Sequence, residues 1–155
     1  MTGDTRGYSL DVSEYLFRLT TESLRLLSNE TKRYHSLTSM VNQLAGPGAA
    51  EAIAQHDVET LRQHLSKIPT KGPIRIHLHI TKTSADNLIE AKKRLAKELG
   101  SSLTVGDAIS MLLFDFVVDQ SAAKLLSKLG VDEASQSCDR PSDGLEKTDN
   151  VVRLK

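Results

Sequence analysis

Residues 74–81, Ile-Arg-Ile-His-Leu-His-Ile-Thr, constrain this chain more than any other stretch. Ile74, Ile76, Leu78 and Ile80 alternate with Arg75, His77, His79 and Thr81. A repeat of two residues is the mark of a strand with one buried and one wet face. Pro73 punctuates its start, and β-branched residues favour extended backbone. No second segment alternates as convincingly, and a lone strand leaves unpaired backbone groups along both edges. The expectation is therefore one short strand per chain, pairing with the same strand of a second copy in a homodimer.

The segments on either side predict helices. From about Leu10 to Ala45 there is no Pro or Gly, and Leu, Glu and Arg are frequent. Phe17, Leu24, Leu27, Tyr34 and Val41 fall on one seam, with Thr20, Thr31 and Thr38 at the other heptad positions. This predicts one long amphipathic helix with a weak coiled-coil pattern. Gly46-Pro47-Gly48 breaks it. A second helix is expected over Ala49–Ile68, its apolar face formed by Ala50, Ile53, Ala54, Val58, Leu61, Leu65 and Ile68. Residues 1–9 read as a loose start, and Thr70-Lys71-Gly72-Pro73 as a hinge. Residues 1–70 then form a helical hairpin, an arm for oligomerisation (through residues 10–68) or for partner binding.

After the strand, Thr83 or Ser84 caps a helix with Asp86 in its first turn. Leu88, Ala91, Leu95 and Leu99 form its buried stripe, and Gly100 ends it. Thr104 caps a further helix, with Asp107 three residues on. Val105 to Val118 is apolar almost all round, so it must be buried on several sides. About 60 residues cannot bury it alone, which again asks for a second copy. Residues 71–130 thus make one domain, and the Ser-, Asp- and charge-rich residues 131–155 a disordered tail.

The order of an alternating strand, a helix ended by Gly, a Ser/Thr turn and a very apolar helix resembles the ribbon-helix-helix family of DNA-binding proteins, the MetJ and Arc type of repressor. The resemblance covers residues 74–116, and Glu98-Leu-Gly-Ser-Ser-Leu-Thr-Val-Gly-Asp-Ala-Ile109 is similar to the family's turn between helices. It implies a mainly α fold in which two strands form an antiparallel ribbon that enters the DNA major groove. Arg75, His77 and His79 would then meet base edges. Lys71, Thr81, Lys82 and the helix start at Ser102, Thr104 and Val105 would hold phosphates. Ile76, Leu78, Ile109, Leu112, Leu113 and Phe116 would form the dimer core. The turn is slightly longer than in compact members, and a 70-residue segment precedes the unit.

Charge is consistent with a mild preference for an anionic partner and no more. Lys plus Arg and Asp plus Glu number 20 each, but residues 71–128 hold nine basic and six acidic side chains. Lys92-Lys93-Arg94 reads as a solvated helix face. The single cysteine, Cys138, excludes an internal disulfide framework. No apolar run approaches the ~20 residues of a membrane span, which makes a cytoplasmic protein the expectation.

The expected function is sequence-specific binding of double-stranded DNA by a homodimer, as a transcriptional repressor or a plasmid or DNA-organising accessory factor, with no catalysis and no cofactor. An antitoxin-type regulator would add a protein partner on the arm or tail. An enzyme would have to use His77 and His79, which point the same way on a strand and so form half of a metal site. His35, His56 and His64 lie at no ligand spacing to complete it. His79-Ile-Thr81 is also similar to the His-x-Thr element of two-histidine phosphoesterases, but a second element is wanting: His64-Leu-Ser66 lies on a predicted helix.

Overall fold

The computed structural model describes residues 5–130. Its elements in chain order are β1 (Thr5–Val12), α1 (Glu14–Thr31), α2 (Leu37–Leu44), α3 (Ala49–Ala54), α4 (Val58–Lys67), β2 (Ile74–Thr81), α5 (Lys82–Leu99) and α6 (Val105–Leu129). Of the described residues, 5–117 belong to one unit and 118–130 to a second. The described part of the second is the C-terminal end of α6 and Gly130, where Leu125, Leu126 and Leu129 are exposed. The expected tail, 131–155, lies outside the described residues, as does Cys138.

The strand expected at 74–81 is present, but its partner is not a second copy. β1 pairs with it antiparallel in a two-stranded sheet, from Thr5 opposite Thr81 to Val12 opposite Ile74. This overturns the fold of one strand per chain preceded by a helical hairpin. Each chain holds both strands of its ribbon. The physical reason lies in Tyr8, Leu10 and Val12, which alternate with Gly7, Ser9 and Asp11 and offer β2 a matching apolar face.

The break expected at Gly46-Pro47-Gly48 is present, but the two long helices expected on either side of it are each divided. Lys32 ends α1 in the left-handed region, φ 62°, and Ser36 starts α2 by accepting from the Ser39 N–H. The long helix is therefore two. Its buried stripe is Leu16, Thr20, Ser23 and Leu27, whereas Phe17 and Tyr34 of the expected seam are exposed. The helix expected over Ala49–Ile68 is also divided, because the Asp57 carboxylate caps α4 through the N–H groups of Glu59 and Thr60.

Residues 82–116 follow the sequence more closely. Leu88, Ala91, Leu95 and Leu99 are buried, and Gly100 terminates α5 at φ 73°. The cap is Thr81, not Thr83 or Ser84, and Asp86 pairs with Lys82 at 3.1 Å. Thr104 and Asp107 form a reciprocal capping box: Thr104 N–H donates to Asp107 Oδ2 (2.9 Å) and Asp107 N–H to Thr104 Oγ1 (3.1 Å).

The all-round apolar part of α6 is buried by its own chain. Leu78, Ile109, Leu112, Leu113 and Phe116, expected in a dimer core, join one cluster with Val12, Leu16, Leu27, Met40 and Val41, and Ile76 packs against it. Residues 71–130 do not enclose this cluster by themselves in the structure. The first 70 residues supply what is missing.

A shift of 68 in residue number relates the two halves. It carries α1 onto α5 residue for residue, the left-handed cap Lys32 onto Gly100, and the cap Ser36 onto Thr104. The starts of α2 and α6 coincide, and β1 falls one residue from β2. Buried positions coincide too: Val12 with Ile80, Leu16 with Ser84, Thr20 with Leu88, Ser23 with Ala91, Leu27 with Leu95 and Val41 with Ile109. The strand register respects the same relation, because Ser9 sits opposite His77, its own equivalent. The chain is two strand–helix–helix units in tandem whose strands pair about a pseudo-twofold axis.

The segment between the units, α3 and α4, is tied down against the second unit. Asn87 Nδ2 donates to the Ala45 carbonyl (3.0 Å), Arg94 pairs with Glu51 (3.1 Å) and Arg62 donates to the Leu99 carbonyl (2.9 Å). His56 Nε2 lies 2.8 Å from Asp115 Oδ1, and the buried His64 ring 2.8 Å from Ser110 Oγ. Burial holds the His64 pKa below its ordinary value, opposed by the Ser110 hydrogen bond.

Candidate nucleic-acid interface

One face of the ribbon packs on the helices through Leu10, Val12, Leu78 and Ile80. The other is exposed at every position: Thr5, Gly7, Ser9 and Asp11 on β1, and Arg75, His77, His79 and Thr81 on β2. The two strands present these residues in opposed pairs.

At one end Arg75 grips Asp11, with Nε 2.7 Å from Oδ1 and Nη2 3.1 Å from Oδ2. The guanidinium holds the Asp11 carboxyl below its ordinary pKa, and Asp11 raises that of Arg75. Both side chains remain about half exposed, so the pair contributes little to stability. At the centre Ser9 Oγ and His77 Nδ1 are 2.9 Å apart. At the other end the His79 ring leans over Gly7, whose missing Cβ would stand 3.1 Å from it.

The ribbon's edges are closed differently. His79 N–H donates to Thr38 Oγ1 (3.2 Å) and Thr81 N–H to Asn42 Oδ1 (3.0 Å), so α2 covers that end of β2. The equivalents on α6 are Gly106, which has no side chain, and Ser110, which is bonded to His64. The chain itself lines β1 instead: Ser13 N–H donates to the Thr70 carbonyl (3.0 Å) and Gly72 N–H to the Asp11 carbonyl (3.2 Å). Only glycine fits at 72, since a Cβ would lie 2.3 Å from Ser13 Cα. Such closures blunt strand addition by another chain.

The structure thus brings Arg75, His77 and His79 to one exposed face, flanked by exposed Lys71 and Lys82. It adds Ser9 and Asp11, which the sequence reading missed. Their signal was the Tyr8-x-Leu10-x-Val12 alternation. The expected phosphate holders at the start of α6 are less open. The Thr104 N–H is already taken by Asp107, whose other oxygen accepts from Thr70 Oγ1 at 2.5 Å. A carboxylate thus stands where an anion would bind. Thr81 Oγ1 is engaged in capping α5 by accepting from the Ser84 N–H. Ser102 is exposed and Val105 half-buried.

Among the described residues, no three His, Cys, Asp or Glu side chains are placed to hold a metal ion, and no helix is long and apolar enough to cross a membrane. No protein-family model, curated protein or solved structure matches the chain.

Proposed function

We propose that this protein binds double-stranded DNA in a sequence-dependent way by laying the polar face of the β1–β2 ribbon in the major groove. The observation that carries the proposal is the ribbon itself. Two strands spaced about 4.8 Å apart, backed by helices and exposing only Thr, Gly, Ser, Asp, Arg and His outward, fit a groove about 12 Å wide. The resemblance of residues 74–116 to ribbon-helix-helix repressors supports the same use of this face. In this account Arg75, His77 and His79 read base edges, and Lys71 and Lys82 contact phosphates. The protein acts in the cytoplasm by occupancy, as a repressor or DNA-organising factor, without catalysis. The second strand is in the same chain, so no second copy is needed to complete the ribbon.

The test is duplex binding by the full chain as a function of salt, beside the Arg75→Ala/His77→Ala/His79→Ala variant. Sequence-dependent binding lost in the variant is expected. The salt slope should be shallow, about −0.9 for each phosphate held, since only Lys71 and Lys82 contact phosphates and Asp86 offsets Lys82. Equal binding by variant and parent, or no binding at low salt, would show the face to be merely solvated.

A further inference from the structure

We propose that one chain occupies one DNA site, and that the site is asymmetric because the two ends of the ribbon carry unlike readers. The inference rests on the DNA-binding reading above and adds the shape of the target.

In a ribbon built from two identical chains, symmetry would place the same residues at both ends. Here the pseudo-twofold axis passes through the Ser9–His77 pair and exchanges Arg75 with Gly7, and Asp11 with His79. One end therefore carries Arg75 and Asp11, a donor fork beside an acceptor pair. The other carries His79 over a glycine. Arg75, Asp11 and His79 each differ in chemistry from the residue equivalent to them.

The Arg75–Asp11 end fits the major-groove edge of a G·C pair. Guanine offers two acceptors, O6 and N7, to an arginine fork, and cytosine offers its N4 amino group to a carboxylate. On binding, Arg75 and Asp11 exchange each other for the two bases, so each keeps a hydrogen-bond partner. Both are exposed, so the exchange requires no opening of the core. The His79 end has no fork. It presents one imidazole, whose ring lies over Gly7, where a Cβ would stand 3.1 Å from it.

The closing experiment selects from a library of random duplexes with the full chain, measures the mass of the complex on the enriched site, and repeats the selection with Asp11→Ala/Arg75→Ala and with His79→Ala. The expected site is non-palindromic, bound by one chain, with a required G·C pair toward one end. The double variant should lose discrimination at that pair alone, by roughly five- to 150-fold, the discrimination of one good base contact. His79→Ala should relax the opposite end alone. An enriched inverted repeat, or two chains on each site, would overturn the inference while leaving DNA binding intact. Enrichment of no duplex at all would overturn the DNA-binding reading itself, and this inference with it.

Discussion

The two strand–helix–helix units reach the same backbone with different residues. In α5 the buried stripe begins Ser84, Leu88, Ala91, Leu95; its equivalent in α1 is Leu16, Thr20, Ser23, Leu27. Gly100 turns the chain after α5 without steric cost, whereas Lys32 takes the same left-handed conformation with a Cβ. Ser23 buries its hydroxyl with no hydrogen-bond partner among the described residues, where the second unit has Ala91. At Lys32 and Ser23 the first unit has the less suited residue, whereas at Leu16 it has an apolar side chain where the second unit buries Ser84. What is held common is the position of burial and of caps, with residue type kept at the Ser/Thr caps and at Leu27 and Leu95.

The largest effect that could break this comparison comes from the core. Leu27 and Leu95 are equivalent and almost wholly buried. Leu27→Ala and Leu95→Ala should each cost about 2–5 kcal/mol, and each should lower one common unfolding transition measured by circular dichroism. Two transitions, with Leu27→Ala moving only one, would mean that residues 5–45 fold as a separate arm.

Two glycines give the next contrast. At Gly72 an added methyl meets backbone, so Gly72→Ala should cost roughly 1–3 kcal/mol in denaturant unfolding. At Gly7 it meets only the movable His79 ring, so Gly7→Ala should stay within about 0.5 kcal/mol of the parent. Equal costs at both positions would contradict the close passage of residues 70–72 beside β1.

The segment joining the units should respond to acid through His64. Its folded pKa is depressed, so the unfolded chain binds the proton that the buried ring refuses. The His64 contribution is therefore complete above the ordinary value of 6.5 and declines as the pH falls below it. Urea midpoints from pH 8 to 5 should fall less in His64→Gln than in the parent. The smallest effect is at the helix caps. Lys32→Gly should raise stability by up to about 1 kcal/mol in the same titration, whereas Gly100→Lys should lower it.

Much of residues 72–116 was legible in the sequence, because there the local residues agree with the global structure. Alternation marked β2, periodic leucines marked α5, and Gly100 and the Thr104–Asp107 box marked its end and the next start. The first unit was not legible for stated reasons. Gly7 and the short run Tyr8-x-Leu10-x-Val12 weakened the strand signal, and Leu10 also fitted a helical pattern continuing into α1. No Gly or Pro announced the break at Lys32. Thr20 and Ser23 disguised a buried stripe. Once β1 was missed, the unpaired strand and the over-apolar α6 both pointed to a second copy, although the missing surface lay in residues 5–45. On the candidate site, the alternation alone puts Arg75, His77 and His79 together on the exposed face of β2. Their opposed partners Ser9, Asp11 and Gly7 depend on a register that no local pattern states.

The most direct test of the duplicated single-chain ribbon is a disulfide across its centre. Ser9 and His77 are opposed, and the outward N–H groups of His79 and Thr81 place this pair among the closely spaced, non-hydrogen-bonded ones, whose side chains a disulfide can bridge. The variant is Ser9→Cys/His77→Cys with Cys138→Ser, which leaves no other thiol. Oxidised at low concentration and run without reductant, it should migrate as a compact single chain with a closed loop. A covalent two-chain species as the main product would show that the strands pair between copies and would contradict the account.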